Sequence, residues 1–316
     1  MKKSLFLLSA LCLLLAASQA LAQNDGGGPP KYFLIEREVL KPGTAPAHER
    51  ESNNFARLLS NARGVAGETR YYRVGMTPVA GNQNEVIYVF PFNTLDDIAK
   101  YNADIERWMS RPGDQNAFYT RIAAEHATPH PGTNDDFHAL QTSMIAELVP
   151  ELSYNERPNP GVMRYVEMTT WRVKPGQDAN FIKAGQMVVN AHRQAKNDIH
   201  FITYRVLGGA LGGTYVTLTT FRTLSELTPS EAERMAWGKA MGDKMSELQK
   251  LTGKVFTNME TSVYAVRPTM SAVPDFFMQD SGDRAFWMTT MPEPPATATA
   301  SNGGARAMNG KRRTRQ

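Results

Sequence analysis

Thr214–Leu227 reads TYVTLTTFRTLSEL, and Val86–Ile98 reads VIYVFPFNTLDDI. With Phe92 set on Phe221 (a shift of 221 − 92 = 129), Thr94 falls on Thr223, Leu95 on Leu224 and Ile98 on Leu227. Val86, Ile87 and Val89 then meet Tyr215, Val216 and Leu218, so the apolar positions stay in phase. Each stretch reads as a strand running into a turn and a helix. The chain says it twice, which marks it as a tandem duplication and decides the fold.

The repeat extends outward from this stretch. Tyr32–Leu40 (YFLIEREVL) and Tyr165–Val173 (YVEMTTWRV) are strands, each closed by Lys-Pro-Gly at 41–43 and 174–176. Pro presets φ for a turn and Gly accepts positive φ, so both strands end there. A helix follows each turn. Phe181, Ala184, Val188, Ala191 and Ala195 recur at spacings of three and four behind an expected N-cap at Asp178, and Glu51, Phe55, Leu58 and Ala62 keep the same rhythm. Tyr72-Arg73-Val74 returns as Tyr204-Arg205-Val206 in the next strands, Arg70–Val74 and Phe201–Val206. Gly208-Gly209 and Gly212-Gly213 flank a hairpin turn, with no helix N-terminus behind it to hold a phosphate.

The last helix of the second copy opens at Thr228-Pro229-Ser230-Glu231, read as a capping box, and places Trp237, Met241, Met245 and Leu248 on one face. Tyr154–Pro158 and Tyr264–Pro268 carry the signature expected for the closing strands. Each copy therefore reads β-α-β-β-α-β, a ferredoxin-like unit. The fold class is α+β, with two such repeats packed sheet to sheet as an α+β barrel within one chain.

The organisation expected is a signal peptide over 1–22, a linker over 23–31, a first repeat over 32–158 with an insertion at 110–136, a second repeat over 159–268, a packed extension over 269–291 and a disordered basic tail over 292–316. Lys2 and Lys3, the apolar run Leu5–Ala17 and Ala20-Leu21-Ala22 before Gln23 form the leader, so the protein is expected to be exported to the periplasm or outside the cell. Cys12 is the single cysteine and leaves with that leader, which excludes disulfides and thiol chemistry from the mature protein. Net charge is +4, but Lys2 and Lys3 carry +2 and residues 289–316 another +4. Residues 23–288 hold −2 (4 − 2 − 4), so a nucleic-acid surface is not expected. The tail's arginines are expected to attract anionic surfaces.

A first strand ending near Lys-Pro-Gly, an Arg/Tyr-bearing second strand, and a third strand running into Phe-x-Thr-Leu plus an acidic helix resemble the dimeric α+β barrel superfamily. The closest likeness is to its NIPSNAP-like and antibiotic-biosynthesis-monooxygenase-like branches, over about 32–110 and 137–268. The resemblance implies a barrel that single-domain members build from two chains and this chain builds alone, as a monomer with an internal pseudo-dimer or as a higher homo-oligomer. It implies no single activity, since the superfamily holds cofactor-independent monooxygenases, isomerases and haem-binding enzymes. A helix histidine is the axial ligand in the haem-binding relatives, which singles out His192, although no cofactor is expected.

His192, Trp171, Tyr204 and Tyr215 are the candidate ligand-binding residues, expected around a helix–sheet pocket of the second repeat that takes a small apolar or planar ligand. His126, His130 and His138, with Asp135 and Asp136, lie too irregularly across Pro and Gly for a metal set, and no metal site is expected. His200 is expected to be structural, and Arg73 and Arg205 to serve architecture. No Walker loop, dinucleotide fingerprint, G-x-S-x-G elbow or H-E-x-x-H occurs. Three readings of function follow: a ligand-binding protein, a cofactor-independent monooxygenase or isomerase, and an assembly protein that uses its basic tail. The catalytic residues of the second reading stay unassigned.

Overall fold

The computed structural model describes residues 28–62, 70–80, 82–110, 137–156, 159–279 and 281–289. The expected leader, most of the insertion with His126 and His130, and the basic tail lie outside these residues. The first half runs β1 (Tyr32–Leu40), α1 (Ala45–Ala62), β2 (Arg73–Ala80), β3 (Glu85–Phe92), α2 (Leu95–Ser110) and β4 (His138–Leu148). The second runs β5 (Tyr165–Val173), α3 (Asp178–Ala195), β6 (Ile202–Gly208), β7 (Thr214–Phe221), α4 (Glu231–Met241), α5 (Lys244–Val255) and β8 (Phe256–Ala272), with a short α6 (Ser281–Trp287) behind it. No helix among the described residues is long and apolar enough to cross a membrane.

The eight strands close one antiparallel barrel in the order β1-β3-β2-β8-β5-β7-β6-β4. Within each half the order is that of a ferredoxin-like sheet, β4-β1-β3-β2 and β8-β5-β7-β6. The halves meet by hydrogen-bonded edges rather than by stacked faces. β2 pairs with β8 through Met76↔Val266 and Thr77↔Ala265, and β4 pairs with β6 through Ala146↔Val206 and Leu148↔Tyr204. An open sheet leaves a row of unpaired backbone groups at each edge; closure removes all of them.

Alternation along the strands separates two cores. Ile35, Met76, Ile87, Val89, Val166 and Val216 point into the barrel, where residues of both halves form one cluster. Tyr32, Leu34 and Leu40 point outward against Leu58 and Leu59 of α1 and Tyr101 of α2. The second half repeats this with Val173, Phe181, Tyr215 and Val255, and α3 packs Ala184 and Ala191 against Met241 and Leu248.

Four local expectations are corrected. The first half's closing strand is His138–Leu148, because Leu40 faces His138 just as Val173 faces Phe256. Tyr154 makes only an isolated bridge to Phe201, after Pro150 has turned the chain. The cap of α4 is Ser230 with Glu233 as its reciprocal partner, so Pro229 precedes the helix instead of starting it. The single helix expected there is two, broken where Gly242 takes φ +46°. Asp178 is the first residue of α3 rather than its cap, and accepts a hydrogen bond from the Tyr215 hydroxyl at 3.1 Å.

Past β8 the described residues fold back onto the body. Trp287 is buried and donates its indole N–H to Gly161 O at 2.9 Å, and Arg164 pairs with Asp283 at 2.7 Å.

Candidate functional site

The ends of the barrel interior differ. At the end where β1 finishes, Arg37 donates twice to Glu85 Oε2, and the Tyr264 hydroxyl donates to Glu85 Oε1 at 2.6 Å. These groups plug the interior with a polar network whose members come from β1, β3 and β8. At the other end, where β1 begins, no such plug forms among the described residues and a cavity of about 420 Å³ remains. Phe33, Met76, Val89, Val166 and Leu218 line it from five strands of both halves, and Phe277 of the extension borders it. His200 and Thr220 supply polar groups on the wall; His200 Nε2 lies 2.6 Å from Thr220 Oγ1. Burial pushes the His200 pKa down, so the ring is neutral near pH 7. An interior of eight strands is just wide enough for side chains or one small ligand, which fits this volume.

The four sequence-predicted ligand residues do not gather round one space. Trp171 and Tyr215 meet in the helix–sheet core of the second half, together with Phe181 and Phe256. Tyr204 lies inside the barrel, its ring tilted against Phe33 at 4.5 Å between centroids and its hydroxyl donating to Pro30 O at 3.1 Å, so it stands directly behind the cavity wall. His192 sits on α3, 3.3 Å from Asn197 Nδ2 and within 6 Å of the rings of Tyr154, Phe201 and Trp237. Those rings take the ground a macrocycle would need, so the residues around His192 do not fit a haem. Burial lowers the His192 pKa.

A second polar centre lies outside the barrel wall, between β1 and α1 of the first half. Even-numbered β1 residues face the helices, which puts Glu36 and Glu38 on the same face as Leu34 and Leu40. His48 reaches Glu38 from α1 (Nε2 to Oε2, 2.7 Å), and His138 reaches the same oxygen from β4 at 3.3 Å. Gln141 donates to the other oxygen, Glu38 Oε1, at 3.1 Å. Burial pushes the Glu38 carboxyl up, but the His138 and His48 imidazoles beside it outweigh that and hold it at about 2. Glu36, on the same face, is raised to about 7 by burial, against the pull of Arg73. Arg73 itself is buried. It donates to Ser52 O and Oγ and lies over the rings of Phe55 and Tyr88, and its Nε has no hydrogen-bond partner among the described residues. Its sequence counterpart Arg205 is instead half-exposed and pairs with Glu147 at 3.1 Å.

His138 was visible in the sequence, but in the wrong company. Its partners Glu38 and His48 were missed. The available signal was the pair Glu36 and Glu38, two charged residues on a helix-facing side that Tyr32, Leu34 and Leu40 otherwise make apolar.

No protein-family model and no curated protein matches the chain. Among solved structures it is similar to an anthrone oxidase-like protein, with a TM-score of 0.41 and 11% identity over 77% of this chain and 94% of that one. It is also similar to a mutant chlorite dismutase from Candidatus Nitrospira defluvii, with a TM-score of 0.43 and 8% identity over 79% of this chain and 95% of that one.

Proposed function

We propose that the protein binds a small apolar or planar molecule in the cavity at the open end of the barrel. The observation that carries this reading is the contrast between the two ends of one interior. A polar network fills one end, whereas the other keeps about 420 Å³ walled mainly by Phe, Met, Val and Leu side chains. Pockets of this size and lining suit a ligand whose affinity comes from buried apolar area, with His200 and Thr220 left to orient it. Tyr204, expected from sequence to touch the ligand, supports the wall by holding Phe33 and Pro30. The alternative reading, a cofactor-independent monooxygenase or isomerase, uses the same cavity, with those two polar groups facing the substrate. Export under the direction of residues 1–22 and descent of the two halves from one duplicated unit belong to the same proposal, supported by the leader pattern and by the equal strand order of the halves.

Native mass spectrometry of the protein purified from its own exported fraction tests this. The expected result is a retained small molecule, lost in Val166→Trp, whose larger side chain fills the space. A wild-type chain of bare polypeptide mass, with no shift in melting temperature across a panel of apolar aromatic compounds, would remove the reading. The same spectrum gives the mature N-terminus, expected at Gln23.

A further inference from the structure

We propose that Glu38, His48 and His138 form a binding site for a divalent first-row transition metal such as Zn²⁺ or Fe²⁺. The site lies outside the barrel wall, at the opposite end of β1 from the apolar cavity. Phe33 and Glu38 are five residues apart on one strand, roughly 16 Å at the usual rise.

Each of the three side chains offers one ligand atom, and these atoms all lie within 4.8 Å of one another. Metal–ligand distances of about 2.0–2.2 Å place tetrahedral ligand atoms roughly 3.3–3.5 Å apart. The His138 to Glu38 separation, 3.3 Å, already has that value, and the His48 to Glu38 separation, 2.7 Å, reaches it by a shift of roughly 0.6–0.8 Å. The ligands come from β1, α1 and β4, so they approach a common point from different elements. Two imidazoles and a carboxylate form the donor set of hydrolytic zinc sites and of facial non-haem iron sites, both of which leave positions open for water or substrate. Gln141 fixes the second carboxylate oxygen, the orienting contact that metal ligands commonly receive. Glu38 and His48 are buried, and the His138 side chain keeps 24% exposure although its Nε2 is itself buried against them.

The other half of the same molecule fills the equivalent position differently. The helices α1 and α3 are both 18 residues long and start at the same distance from Lys-Pro-Gly, and the closing strands pair in the same register at Leu40↔His138 and Val173↔Phe256. Glu38, His48 and His138 therefore correspond to Trp171, Phe181 and Phe256. Those three rings pack on one another, at 6.1, 5.1 and 5.8 Å between centroids. Gln141 corresponds in the same register to Met259. The scaffold thus closes this position with an apolar aromatic cluster where nothing has to be held. Burying a carboxylate and two imidazoles instead carries a desolvation cost that the fold does not require. A bound cation accounts for that choice, because it needs these donors and offsets the cost.

The test loads the purified, metal-stripped protein with Co²⁺ or Zn²⁺. One equivalent of Co²⁺ per chain is expected, with the visible absorption of a four- or five-coordinate ion. His48→Phe and His138→Phe, which copy the residues of the other half, should each weaken binding by more than 100-fold. Gln141→Leu should weaken it by about 10–100-fold, as for an orienting partner. X-ray absorption of the zinc-loaded wild type reads the shell without any variant, and two imidazole nitrogens plus oxygen are expected. The proposal is overturned by a folded wild type that takes up no stoichiometric ion, by binding that His48→Phe and His138→Phe leave unchanged, or by a zinc shell without imidazole. Those outcomes would leave the three side chains as a hydrogen-bonded group only.

Discussion

Individual side chains on the two helix-facing layers show how much charge this scaffold tolerates. Asp104 on α2 is buried, yet Lys100 reaches it at 2.5 Å, Arg107 at 3.0 Å and the Tyr71 hydroxyl at 2.8 Å. Burial pushes its carboxyl up, but the bonds from Lys100, Tyr71 and Arg107 prevail and hold the pKa below the ordinary 3.8. A carboxyl with a depressed folded-state pKa contributes stability that is present above the unfolded value and lost as pH falls through the folded one. Asp104→Asn should therefore lower the melting temperature at pH 7 by an amount worth about 1–3 kcal/mol. The gap between variant and wild type should shrink below about pH 4. Melting curves at pH 7 and pH 3 measure both, and a gap that stays constant would show that Asp104 acts through packing alone. At this scale the sequence was hardest to read. Glu38 lies in a strand that the sequence marks, but His48 and His138 stand 90 residues apart (138 − 48). They meet only once β4 has taken its register on β1, and no local spacing encodes that.

At the scale of elements, turns and helices were the most legible because their signals are local. Lys-Pro-Gly ends both β1 and β5, with Gly43 and Gly176 at φ +83° and +77°, and the Gly-rich hairpin sits where it was expected. The break between α4 and α5 was missed because the apolar spacing of Trp237, Met241, Met245 and Leu248 continues across it. All four still pack on one core, so periodicity reported the shared face and not the interruption. β4 was misplaced because its His-Ala-Leu-Gln-Thr-Ser start is mostly exposed and has no apolar alternation to announce it. The seams depend on glycines that no periodicity singles out. Gly209 holds φ +85°, and a Cβ there would come 1.9 Å from Ser143 O on β4. A Cβ on Gly75 would come 2.8 Å from Met270 Cβ on β8. Gly209→Ala and Gly75→Ala should each destabilise the protein by about 1–3 kcal/mol or more, since backbone has to move in both cases. Gly253→Ala, where a Cβ meets open space on α5, serves as the control and should be neutral or slightly stabilising. Denaturant titration of the three variants separates these outcomes.

The whole molecule is a single barrel that neither half can close alone. Each half leaves its outer strands, β2 and β4 or β6 and β8, to be paired by the other, and the interior core and the apolar cavity both draw on strands of both halves. Symmetry of scaffold is combined with asymmetry of content: aromatic rings fill in the second half what a carboxylate and two imidazoles occupy in the first. Amide hydrogen exchange across the full chain tests the barrel most directly. Backbone N–H groups bonded across the seams, in the Met76–Thr77 and Val266 region and in the Ala146–Leu148 and Tyr204–Val206 region, should exchange only through global unfolding, at the same free energy as those of β1 and β5. Seam amides that exchange far faster than those of β1 and β5 would contradict the closed barrel and leave two separate sheets in its place.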